Sequence, residues 1–268
     1  MTGRSVALPM YLGAPEAVQS LWAVLRTTLA AAGLNALPTQ VDWPQDLHQH
    51  WLAPRLLLSQ SCGYPLTHAL RGQVQVLGCF VYSAPQCRGT DCASVLVTRQ
   101  EHRELAPQDF AGLRAAYNST DSQSGYNALR ALVAPWAQQG RFFGQVLATG
   151  GHRASVDAVR AGRADVAAID CVTWALLQRY APSAADGLCV VGQTGSYPGL
   201  PLITSRDTPA AELQALRAAL RGVFSQPEAA PALAALAIVG FEALDASAYE
   251  PCIAMENSAT ALGYPALA

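Results

Sequence analysis

Short apolar runs alternate with stretches whose apolar residues recur every three to four positions, and this alternation persists along nearly the whole chain. Such a grain predicts an α/β fold built on mostly parallel sheets flanked by helices. The first half predicts a strand over Val6–Tyr11, a helix over about Pro15–Ala32 and a strand over Leu37–Val41. Arg55–Gln60 is a further strand, turning at Ser61-Cys62-Gly63 into a short helix near Leu66–Leu70. Two more strands, Val74–Tyr82 and Ser94–Thr98, flank the loop Cys87-Arg88-Gly89-Thr90-Asp91-Cys92.

The pattern then changes. Residues 99–110 are polar and charged, and Leu113–Asn118 begins a second series of strands and helices. A helix over 124–139 is expected to break at Pro135 and stop at Gly140. Phe142–Ala148 leads through Thr149-Gly150-Gly151 into a helix over His152–Ala161, stopped by Gly162. Asp165–Ile169 is a strand that delivers Asp170 at its C-terminal end, followed by a helix over Val172–Tyr180 and a strand over Leu188–Gly192. After a strand at Leu200–Thr204 the tail is helical, over Ala210–Phe224, Ala229–Ala235 and Tyr249–Leu262. Interruption of one series by another predicts two lobes: residues 1–98 with 200–268, and an inserted lobe of residues 99–199. Crossings near Thr98 and near Pro198–Pro201 would form a hinge.

Composition narrows the chemistry. Half of the 268 residues are hydrophobic and 13% are charged, so a large core is expected and disorder is not. A net charge of −2 gives no general attraction to nucleic acid or anionic lipid. All 17 basic residues are arginine, which removes a phosphate-loop lysine, a Schiff-base lysine and a pyridoxal-phosphate anchor together. The seven cysteines read as buried, reduced side chains, with Cys87 and Cys92 the one pair spaced for a local bridge. No CxxC occurs, and His48, His50 and Asp46 read as a solvated helix face, so no metal and no cofactor are expected. No apolar run is long enough to span a bilayer.

One segment stands out: Tyr117-Asn118-Ser119-Thr120-Asp121-Ser122-Gln123-Ser124-Gly125-Tyr126. It opens a helix with small hydroxyl residues, and a helix start offers unpaired amide donors and partial positive charge to an anion. His152 and Asp170 also fall at strand ends or helix starts, the edge where open α/β sheets bind ligands. Each has a plainer reading: Ser122 and Asp170 as helix caps, His152 as a surface cap, and Tyr11 and Tyr82 as core aromatics.

These pieces together resemble the phosphonate, phosphite and phosphate solute-binding proteins of ABC transporters, the PhnD-like group with the type II periplasmic-binding fold. The resemblance rests on Asn118-x-x-Asp121-Ser122-x-Ser124-Gly125, Gly150-Gly151-His152-x-x-Ser155, Ala161-Gly162-Arg163-Ala164-Asp165 and Ala168-Ile169-Asp170. Leu58-Ser59-Gln60-Ser61-Cys62-Gly63-Tyr64-Pro65 and Pro198-Gly199-Leu200-Pro201 extend it across most of residues 5–205. It implies two lobes with a ligand cleft between them, in which Ser122, Ser124 and His152 donate to a small oxyanion. Asp170 would accept from a protonated oxygen or an amino group, with Tyr11, Tyr64 and Tyr82 closing over the ligand. Gln123 stands where that group often has threonine, so it would read the head group.

The resemblance further implies a monomer that serves an ABC permease in the periplasm without inserting into the membrane. As written, the chain opens on Met1-Thr2-Gly3-Arg4-Ser5 with no export leader, which makes the cytoplasm the alternative and a ligand sensor a second role. An enzyme on a pyrimidine or thiamine precursor, with Cys62 or Cys171 as nucleophile, is the competing class.

Overall fold

A computed structural model describes residues 3–11 and 13–268. In chain order the elements begin with β1 (Ser5–Ala7), α1 (Pro15–Ala31), α2 (Leu47–Trp51), β2 (Leu56–Gln60), α3 (Gly63–Thr67) and β3 (Val74–Tyr82). They continue through β4 (Asp91–Cys92), β5 (Ser94–Arg99), β6 (Arg114–Tyr117), α4 (Ala128–Val133), β7 (Gln145–Ala148), α5 (His152–Arg160), β8 (Val166–Asp170), α6 (Cys171–Tyr180) and β9 (Leu188–Gln193). The last are β10 (Tyr197–Pro198), β11 (Pro201–Ser205), α7 (Ala210–Gly222), α8 (Ala230–Ala235), β12 (Ile238–Glu242) and α9 (Glu250–Ala261).

Two compact units emerge. The first holds residues 1–83, 88–90 and 199–248; the second holds 84–87, 91–198 and 249–268. The division therefore differs from the expected one at both ends of the insertion: residues 84–87 and 91–98, with β4 and most of β5, lie in the second unit, and the chain returns there after residue 248. The return has clear causes within that unit. Asn127 Nδ2 donates to the Cys252 carbonyl at 2.9 Å, Arg130 Nη1 donates to Pro265 at 2.6 Å, and the amides of Phe142 and Phe143 both donate to the Ala268 carbonyl.

In the first unit the strand order is β1-β2-β11-β3-β12, and in the second it is β7-β6-β8-β5-β9. The sheets are mixed rather than mostly parallel in their pairings. β11 runs antiparallel to both β2 and β3, and β5 antiparallel to both β8 and β9. Each reversed strand is the first that its five-stranded sheet receives after the chain has crossed into that unit, and it enters between strands of the opposite sense. β12 was not expected: the alanine-rich tail masks a strand that pairs antiparallel with β3.

Two expected strands change character. Pro9 has no amide to donate, so β1 ends at Ala7 and Pro9–Tyr11 forms a short 3₁₀ turn. Residues 37–41 form no strand, because α1 claims their polar groups. Trp22 Nε1 donates to Pro38, Gln19 Nε2 donates to Thr39, and Gln19 Oε1 accepts from the Val41 amide. Their backbone is thus satisfied without a sheet.

Asp165, just before β8, ties three strands of the second sheet. Its carboxylate accepts from Arg114 Nη2 at 2.7 Å, Arg114 Nε at 2.9 Å, the Arg114 amide at 3.0 Å and Arg99 Nη2 at 3.0 Å. Its carbonyl accepts from Thr98 Oγ1 at 2.6 Å. The Arg114 guanidinium is chiefly responsible for holding this carboxyl well below the usual carboxylate range. Folding therefore gains from the ionised form, and the gain is present above the unfolded value, about 4, and lost as pH falls below it. Asp165→Asn should cost about 1–3 kcal/mol of stability. Denaturant unfolding at several pH values should show the acid-sensitive component in the wild type and its loss in the variant; identical acid profiles would contradict the assignment.

Candidate ligand-binding site

The C-terminal edge of the second sheet carries two helix starts side by side. After β6 the chain turns at Asn118 and enters a π-helical turn over Gln123–Asn127, closed by the Asn127 amide donating to the Ser122 carbonyl at 3.0 Å. Turns of this type widen a helix start and recur at functional sites. After β7, Thr149-Gly150-Gly151 leads into α5. The Thr149 amide donates to Tyr117 and the Gly150 amide to Asn118, binding the two connections together. Gly150 has φ +86°, a conformation open to glycine.

The side chains complete the link. Ser122 caps its turn by accepting from the Gly125 amide at 3.0 Å, and its Oγ lies 3.4 Å from Ser124 Oγ. Ser124 Oγ lies 2.8 Å from His152 Nε2, a hydrogen bond between the second residue of the π-helical turn and the first residue of α5. Gly125 is required here by close approach: a Cβ would stand 2.1 Å from Asn118 Oδ1 and 3.3 Å from His152 Cε1.

This corner is short of positive charge. Burial lowers the His152 pKa to about 4, so the ring is neutral at physiological pH. Its Nδ1 is buried and has no hydrogen-bond partner among the described residues. The nearby buried guanidinium of Arg130 is turned elsewhere, onto Asn127 Oδ1 at 2.6 Å and Glu256 at 3.4 Å.

Asp170 joins through a residue that the sequence reading did not select. Ser94 pairs with Asp170 across β5 and β8, donates to the Ser124 carbonyl at 2.9 Å, and lies 2.6 Å from the hydroxyl of buried Tyr197. Asp170 caps α6 by accepting from the Thr173 amide at 2.8 Å. Burial, and then the adjacent Cys171, push its pKa up to about 7. Nothing in the spacing of Ser94 or Tyr197 marks them, since each needs the register of a cross-sheet pair to be placed.

Gln123 sits differently. Its side chain is buried, with Oε1 accepting from Asn127 Nδ2 at 2.8 Å and Nε2 donating to Met255 Sδ at 3.3 Å. The amide thus serves the packing of α9.

In the first unit, Tyr11 and Tyr82 come together: their hydroxyls lie 2.5 Å apart, and Gln60 Nε2 donates to them at 3.1 and 2.9 Å. Both rings are buried. Tyr64 stands apart on α3, partly exposed and stacked on His68 with ring centroids 3.9 Å apart.

Comparison with known proteins decides the family. The model of the family described as "ABC transporter, phosphonate, periplasmic substrate-binding protein" matches residues 44–249. The chain belongs to this family of periplasmic substrate-binding proteins. Solved structures of similar fold include a binding protein component of an ABC phosphonate transporter from Pseudomonas aeruginosa (TM-score 0.78, 17% identity, covering 97% of this chain and 87% of that one). PhnD1 from Prochlorococcus marinus, in complex with methylphosphonate, gives a TM-score of 0.75 at 14% identity, covering 96% of this chain and 98% of that one. XAC2383 from Xanthomonas citri, bound to ATP, gives 0.72 at 16% identity, covering 97% and 98%. No curated protein sequence matches the chain.

The neutral state of His152 is directly measurable. Its folded pKa lies below its unfolded one, so the associated stability is complete above about 6.5 and declines as pH falls toward 4. An NMR titration of the histidine ring protons should show one ring taking up its proton near pH 4, assigned by its absence in His152→Ala. A midpoint near 6.5 for that ring would contradict the buried, neutral corner.

Proposed function

We propose that this family member captures a small tetrahedral oxyanion, a phosphonate or phosphate, and holds it with neutral donors at the paired helix starts before delivery to an ABC permease in the periplasm. The observation that carries this reading is the Ser124–His152 hydrogen bond. Whichever tautomer is present, the pair keeps one hydrogen to give. If Ser124 donates to Nε2, the ring carries its hydrogen on Nδ1; if Nε2 donates, the Ser124 hydroxyl is left to donate. Ser122 and the amides of its turn add to this set, and the helix starts contribute positive potential without a full charge. Donors already fixed by such bonds lose little freedom when an anion arrives.

On this reading Asp170 accepts from a protonated oxygen or an amino group of the ligand, as the family resemblance implies. Within the first unit, Tyr64 keeps a partly exposed ring, whereas Tyr11 and Tyr82 are buried and brace Gln60. Gln123 acts by shaping the turn rather than by reading the head group. The enzyme reading loses its clearest nucleophile in this unit. Hydrogen bonding to Cys87 leads the causes that push the Cys171 thiol up to about 12, far from the thiolate that attack requires.

Calorimetric titration with methylphosphonate, phosphate, a small sulfonate and a pyrimidine tests the proposal. A phosphorus oxyanion should bind, and Ser122→Ala or Ser124→Ala should each weaken it by about 1–3 kcal/mol, roughly fivefold to hundredfold. His152→Ala should do likewise, with each variant checked for folding by its melting curve. Binding of the pyrimidine alone, or oxyanion affinity unchanged in the double serine variant, would overturn it.

A further inference from the structure

Behind the ligand-site network lies a second group that the sequence does not reveal. Cys87 comes from the loop before β4, Cys92 from β4 itself, and Cys171 from the first turn of α6. Their sulfurs all lie within 4.8 Å of one another, with Cys87–Cys92 at 2.7 Å and Cys87–Cys171 at 3.4 Å. Cys92 and Cys171 are buried, while Cys87 is partly exposed and gives the group a way in.

Three sulfurs in a compact triangle suit a common centre. Metal–thiolate bonds of about 2.3 Å place three sulfurs up to about 4 Å apart, depending on how far the ion sits from their plane. The triangle must open along the Cys87–Cys92 edge by about 1 Å to accept such an ion. The loop residue Cys87 can supply that movement, since Arg88 and Gly89 beyond it are exposed and Gly89 turns the chain at φ +58°. A linear thiol–disulfide exchange fits less well, because no side of the triangle exceeds 4.8 Å and the three sulfurs therefore cannot lie in line.

Ligand number chooses the metal. A closed zinc site takes four ligands. Neither carboxylate adjacent to these cysteines in sequence joins the group: Asp170 is engaged by the Thr173 amide, and Asp91 is exposed. Cu(I) is soft, has no demand for a fourth ligand, and is selected by thiolates.

We propose that Cys87, Cys92 and Cys171 form a three-thiolate binding site for Cu(I). The site is continuous with the ligand network: Cys171 follows Asp170 directly, and Cys92 pairs with Tyr197, whose hydroxyl meets Ser94. It does not depend on which oxyanion the protein binds.

The full chain, reduced, desalted and kept anaerobic, is titrated with Cu(I) against bathocuproine disulfonate as the competing chelator. One equivalent should be withdrawn from the chelator. Loss of outer-shell partners alone typically weakens a metal site about 10–100-fold, so Cys87→Ser, which removes a ligand, should weaken it by at least about a hundredfold. Cys62→Ser and Cys189→Ser should leave uptake unchanged. Peptide mapping of the wild type after iodoacetamide treatment should show Cys87, Cys92 and Cys171 protected by Cu(I), a readout that needs no variant to fold. Uptake unaffected by Cys87→Ser, protection of other cysteines instead, or a Cys87–Cys92 disulfide that reforms while the reduced protein takes up no Cu(I), would each overturn the proposal.

Discussion

The 2.8 Å hydrogen bond between Ser124 Oγ and His152 Nε2 is the interaction on which the rest of the site depends. It fixes two helix starts to each other and keeps the imidazole inside the protein, where burial holds it neutral. Its geometry is supported from below: the Gly150 amide bonds Asn118, and Gly125 leaves room for the Asn118 amide and the edge of His152. A side chain at Gly125 would push these groups apart. The sheet beneath is held by the Asp165 carboxylate between Arg99 and Arg114, so the charged contacts lie at the other end of β8 from Asp170. Charge fastens the scaffold, and uncharged donors line the edge.

That separation gives physical sense to a chain whose basic residues are all arginine. Arginine suits fixed, forked contacts such as Arg114 on Asp165 and Arg4 on Glu212. A mobile lysine at the corner would bind anions broadly by charge alone. On the proposed reading, fixed neutral donors would instead ask for the right arrangement of oxygens, so that shape would contribute more to selection than net charge.

Local signals were legible in the sequence, and long-range ones were not. The Ser122 cap, the Gly150-Gly151 approach to α5 and the placement of Asp170 at a strand end each follow from a few adjacent residues. Residues 37–41 misled because their apolar character matches a strand, while the groups that satisfy them, Gln19 and Trp22, lie some twenty residues earlier. The strand β12 was hidden by alanine and leucine in its surroundings, and only pairing with β3 makes Ile238–Glu242 extended. Ser94, Tyr197 and the meeting of Cys171 with Cys87 and Cys92 depend on register between distant strands. Gln123 shows the converse limit. Its place in the motif is plain, but the direction of its side chain was set by Met255 and Asn127.

The central claim is that a phosphorus oxyanion takes the hydrogen left over by the Ser124–His152 pair. Nitrogen-15 NMR of the histidine-labelled protein tests it most directly, with methylphosphonate added at constant pH. The two ring nitrogens of His152 should report a neutral tautomer before addition, and at least one should shift as the ligand binds, with the ring still neutral. No change at His152 while methylphosphonate binds elsewhere, or a ring already protonated at neutral pH, would contradict the account.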